Sequence, residues 1–131
     1  MTDLSAFEFK TDTLTVEVKH PGTGDKLTNE DGSVMTIEFW LPHTAQAKAI
    51  DYEYTDKYLS AMDKGKKRTA EQLDKQRLER LAKVTKSWNI TLDKKKPDLS
   101  VETAMAVYNR LPWLYRQSVD EIEEAQSFTK D

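Results

Sequence analysis

His20 and His43 are the chain's two imidazoles, and there is no cysteine. Those two facts bound the chemistry early. Thiolate nucleophiles, disulfides and thiolate metal sites are excluded. One histidine sits at a Pro-Gly turn and the other follows Pro42, so they do not form the clustered donor set that a metal takes. The stretch TNEDGS, residues 28–33, has the Asp-Gly step of a calcium loop. With Gly32 at the sharp turn, the first ligand position falls on Leu27, where a carboxylate is required. Asp120, Glu121, Glu123 and Glu124 crowd one helix. Acid–base catalysis needs two carboxyls in different environments, and an evenly solvated row offers no such contrast. PGTGD has two glycines but no Lys-Ser sequel, and no zinc-protease, P-loop or dinucleotide motif occurs. The chain reads as non-enzymatic, with no cofactor and no metal.

The remaining chemistry is electrostatic. The net charge of −3 hides a segregation along the 131 residues. Residues 1–63 carry 12 acids against 5 Lys or Arg, residues 64–96 carry 4 against 12, and residues 97–131 carry 7 against 3. Lys66, Lys67, Arg68, Arg77, Arg80, Lys83 and Lys86 could meet phosphates. The plain alternative is a solvated helix with Glu71–Lys75, Glu79–Lys83 and Asp74–Arg77 as neighbouring pairs. The acidic total, and the lack of interleaved aromatics other than Trp88, argue against nucleic acid. Opposed charge blocks can instead orient copies of the chain, or a partner, in a salt-sensitive way.

These side chains are positioned by two kinds of element. TLTVEVK, residues 13–19, alternates with Leu14, Val16 and Val18 on one side. DGSVMTIEFWLP, residues 31–42, follows two turn signals. Its strand, about 34–41, puts Met35, Ile37, Phe39 and Leu41 on one face and leaves Trp40 on the other. The pair reads as a hairpin with a long, mobile loop. A lone hairpin is marginal in water, so it must lean on helices or on another copy. Trp40 needs cover, from the N-terminal residues or from a partner. Residues 1–12 form an arm or an edge strand.

After Pro42 the period becomes helical. Thr44 caps a helix whose stripe is Ala47, Ile50, Tyr54, Tyr58 and Met62. Gly65 breaks it. A second helix is expected over 69–88, with Leu73, Leu81, Val84 and Trp88 in line. Ser100 caps a third, with Glu102 in its first turn and Ala104 and Tyr108 on its face. Pro112 starts a fourth, lined by Leu114, Ser118 and Ile122. The expected fold is α+β: an N-terminal β-hairpin followed by about four helices, with residues 13–131 as one domain. No apolar stretch approaches the ~20 residues that span a bilayer, and no signal peptide opens the chain. A cytoplasmic protein is expected.

HPGTGDKL followed by DGSVMTI resembles the start of tail assembly chaperones of long, non-contractile-tailed bacteriophages. The C-terminal half is similar too: Trp88 near a helix end, then Ala104, Tyr108, the Pro112-Trp113-Leu114 step, Gln117, Val119 and Phe128 in order. Thr103 stands where that pattern has Asn, and the middle helix is unusually basic. The resemblance spans roughly residues 13–131. It implies a non-catalytic role in virion morphogenesis in the host cytoplasm. Such proteins bind the tape measure protein, recruit tail tube subunits, self-associate, and are absent from the mature virion. Ile37, Phe39, Trp40, Tyr108, Trp113 and Leu114 are then the expected structural and interface positions. A structural virion protein of the tail or head-completion type, and a small nucleic-acid-binding regulator using residues 64–86, are the alternatives.

Overall fold

The computed structural model describes residues 3–126. Three antiparallel strands form a sheet in the order β1 (Thr13–Glu17), β2 (Thr36–Trp40), β3 (Thr85–Asn89). Four helices follow the chain around it: α1 (Ala45–Asp63), α2 (Ala70–Val84), α3 (Val101–Arg110) and α4 (Pro112–Ala125). The α+β class and the early hairpin agree with the sequence reading.

The third strand was not expected. The second helix stops at Val84 rather than running to residue 88, and Trp88 lies in a strand. The local reason is Thr85. Its backbone is extended (φ −74°, ψ 112°), and its hydroxyl turns back to donate to the Leu81 carbonyl at 2.8 Å. The longer-range reason is β2, whose second edge would otherwise be unpaired. β3 fills that edge in the register Thr36↔Asn89, Ile37↔Trp88, Glu38↔Ser87, Phe39↔Thr85. The slip between Glu38 and Phe39 leaves Lys86 as the extra residue of a bulge.

One sheet face is the core. Val16, Ile37 and Phe39 pack with Val18 and, from the helices, with Leu81, Ala104, Val107, Tyr108, Leu114 and Ile122. Each fully buried large side chain here contributes about 1.5–3 kcal/mol. The opposite face is a polar row. The Glu38 carboxylate accepts from Thr13 Oγ1 at 2.9 Å and from Ser87 Oγ at 3.0 Å. Those bonds, Thr13's first, hold its pKa below the ordinary glutamate value, with Lys86 adding to them. Trp40 is half-buried, and its cover comes from within the chain: the bulge puts Lys86 Nζ 4.9 Å from the ring centroid.

One other expectation is corrected. The loop between β1 and β2 is tied down rather than free. Segment 26–28 bridges to Lys19 on one side and Val34 on the other. His20 Nδ1 accepts from the Gly22 and Thr23 N–H groups at 2.9 and 3.1 Å. Gly24 and Gly32 supply the left-handed turns at φ 78° and 87°. Of the two forms expected for residues 1–12, an arm or an edge strand, the strand is not formed among the described residues: residues 4–7 are a 3₁₀ turn capped by Asp3. The segment after it is anchored by the Phe9 ring stacked on His43 at 4.5 Å and by the Leu41 N–H donating to Asp12 O at 2.9 Å.

Thr44, Ser100 and Pro112 start their helices as the sequence indicated, the first two by side-chain caps onto the Ala47 and Thr103 N–H groups. Phe128 lies outside the described residues.

Candidate functional site

Four of the expected interface residues are core. Ile37, Phe39 and Tyr108 are fully enclosed and Leu114 nearly so. They cannot reach a partner without unfolding the sheet–helix packing, so their part is structural. Trp40 and Trp113 are half-buried against the same core. The Tyr108 hydroxyl and Thr85 Oγ1 share a hydrogen bond of 2.7 Å, and burial pushes the Tyr108 phenol pKa up.

The exposed apolar side chains lie elsewhere, on the N-terminal segment (Leu4, Phe7 and Phe9) and on a helical hairpin. No residue from 55 to 80 is buried. This stretch holds the outer half of α1, the Gly65 turn and most of α2. It nevertheless carries Tyr58, Leu59, Met62 and Leu73, which are 46%, 53%, 55% and 41% exposed. The sequence stripe Ala47–Ile50–Tyr54–Tyr58–Met62 is thus only half used. Ala47 and Tyr54 are buried, while Tyr58 and Met62 project beyond the core.

The two helices of the hairpin meet through polar groups. Arg80 forks onto Asp51 at 2.6 and 3.1 Å. Lys83 reaches Glu53 at 3.4 Å and Glu79 at 3.6 Å. The Tyr54 hydroxyl donates to Glu79. Burial first, then that bond, raises the Tyr54 pKa, and the same bond is the leading cause that lowers Glu79's. Arg68 donates to Gln76 Oε1 and to the Tyr54 carbonyl, and lies 5.0 Å from the Tyr58 ring centroid. At the turn, Thr69 and Gln72 form a reciprocal capping box that starts α2.

The seven expected cations therefore divide. Arg80, Lys83 and Lys86 are matched by Asp51, Glu53, Glu79 and Glu38. Arg77 lies in a shallow depression with Glu71 and Asp74. Of the three expected helix-neighbour pairs, Glu79–Lys83 alone closes to an ion pair among the described residues. Lys66, Lys67 and Arg68 line a groove of about 530 Å³ between α1 and α2. The sequence reading missed their companions in that groove, Lys57 from α1 and Lys75 from α2. The legible signal was the turn at Gly65. It folds α2 back along α1, so cations on both helices can face one cleft.

Among the described residues there is no group of three His, Cys, Asp or Glu side chains that could hold a metal. No described helix is long and apolar enough to cross a membrane. No protein-family model, curated protein or solved structure matches the chain.

Proposed function

We propose that this chain is a bacteriophage tail assembly chaperone. It is a non-catalytic factor that holds the long helical tape measure protein and brings tail tube subunits to it in the host cytoplasm. The observation that carries the reading is the α1–α2 hairpin, with Tyr58, Leu59, Met62 and Leu73 exposed on a stretch that has no fully buried residue and meets the core only at its edge, through Leu78. An apolar helical surface rimmed by charge suits a helical client. The order of HPGTGDKL, DGSVMTI and the Pro112-Trp113-Leu114 step supports the same class.

The test is co-expression with the tape measure and tail tube proteins of the same genome. A chaperone keeps the tape measure protein soluble and co-purifies with it. Absence of binding to both proteins overturns the reading. Mass spectrometry of purified particles is the second readout: the chaperone is scarce or missing there. A stoichiometric copy number in the particle makes it a structural virion component instead.

A further inference from the structure

We propose that the groove between α1 and α2 recognises an acidic amphipathic helix of a protein partner. Carboxylates of the partner meet the hairpin lysines, and its apolar edge meets Tyr58. This rests on the reading of the hairpin as a protein-binding element and names the chemistry of what it binds.

Charge complementarity is the first argument. Lys57, Lys66, Lys67, Arg68 and Lys75 line the groove against one carboxylate, Glu79. Glu79 is already engaged by the Tyr54 hydroxyl and by Lys83. Lys66, Lys67 and Lys75 make no ion pair among the described residues, so the groove holds cations whose counter-charge is not supplied by those residues. Such an array attracts and orients an anionic surface.

The form of the anion follows from the neighbours. Arg68, the one side chain here able to fork onto a phosphate, is held by Gln76, the Tyr54 carbonyl and the Tyr58 ring. The α2 N-terminus offers no ready phosphate cradle, because Thr69 and Gln72 already cap it. The free cations are lysines, compact charges on flexible stems, which tolerate carboxylates spaced a helical turn apart.

Nucleic acid fits less well. Its backbone wants a continuous basic track, and Arg80, Lys83 and Lys86 farther along are neutralised by acids of α1, α2 and β2. The half-exposed Tyr58, whose ring lies 5.0 Å from the Arg68 guanidinium of the groove, also calls for an apolar edge on the partner.

The experiment uses the full chain and fluorescence anisotropy with three probes. These are a helical peptide with leucines on one face and glutamates on the other, its glutamine counterpart, and a short DNA duplex. The glutamate peptide binds more tightly than the glutamine peptide by about tenfold or more at low salt, and the gap narrows as salt rises. Lys66→Glu/Lys67→Glu/Lys75→Glu removes the preference, as does the milder triple change to Gln. Lys94→Glu/Lys95→Glu, on a different basic loop, keeps it. Equal binding of the two peptides, or a preference that survives both triple variants, overturns the proposal. So does duplex DNA that outcompetes the acidic peptide through the same lysines. The two readings fail separately. A triple variant that still binds the tape measure protein at full strength removes the groove and leaves the chaperone. A wild-type chain that takes the acidic peptide through these lysines but ignores tape measure and tube proteins removes the chaperone and leaves the groove.

Discussion

Tyr108 shows how one residue can serve two ends of the core. Its ring is fully enclosed, and its hydroxyl is bonded to Thr85 Oγ1, which itself donates to Leu81 O. That chain of bonds links α3 to the junction where α2 becomes β3. Tyr108→Phe keeps the ring and removes one buried hydrogen bond, so it costs about 1–2 kcal/mol of unfolding free energy, read from the urea midpoint shift and the slope. Tyr108→Ala also opens a cavity and costs about 3–5 kcal/mol. A phenylalanine variant as damaging as the alanine one would mean that the hydroxyl, not the ring, holds the junction. The ring's place on the buried face of α3 was readable from spacing with Ala104. The hydroxyl's partner was not, because Thr85 was expected to lie inside a helix.

At the level of elements, the turn that follows β3 carries visible strain. Asp93 and Lys94 have φ of 53° and 65°, and the Leu92–Lys95 bridge closes across them. Both central residues at positive φ is the pattern of a tight hairpin turn that favours Asn-Gly. Arg110 forks onto Asp93 at 2.7 and 2.8 Å and ties the turn to the end of α3. Lys94 is exposed, so its side chain offers little to offset the left-handed backbone. Lys94→Gly is expected to stabilise the chain by about 0.5–1 kcal/mol, read from the shift in urea midpoint at unchanged slope. A destabilised variant would show that the lysine stem makes packing interactions that outweigh the strain. The caps at Thr44 and Ser100 and the proline at residue 112 were plain in the sequence, because capping is local chemistry. The early end of α2 was not. Residues 85–88 continue a helical apolar line, and only the open edge of β2 makes an extended path better.

The whole molecule has two tiers of stability. Sheet, α3, α4 and the end of α2 share one apolar core. The α1–α2 hairpin is joined mainly by exposed or half-exposed polar links such as Arg80–Asp51 and Lys83–Glu53. Solvent screens such pairs, so each contributes little beside the about 1.5–3 kcal/mol of one fully buried large side chain. Hydrogen exchange should therefore show the amides of 55–68 opening far below the global unfolding free energy, while those of 104–118 exchange near it. Equal protection in the two regions would refute the two-tier picture. The charge blocks of the sequence also find their use at this scale. The basic segment turns its Arg80, Lys83 and Lys86 onto acids of the first half of the chain and of α2 itself, and keeps Lys66, Lys67 and Lys75 outside those pairings.

The sequence by itself determined what depends on neighbours a few residues away: the hairpin, the four helix starts, the apolar face with Ile37 and Phe39, and the break at Gly65. Only the tertiary structure decided what depends on chain segments far apart. It converted the end of a helix into a third strand and supplied Lys86 as the cover for Trp40. It also buried the apolar strand residues and left apolar side chains exposed on the α1–α2 hairpin and the N-terminal segment. The physical reason is range. Periodicity and capping report torsions and faces within one element, whereas burial is settled by which other element fills the space beside it, and β3, forty-five residues from Trp40 along the chain, fills the space beside β2.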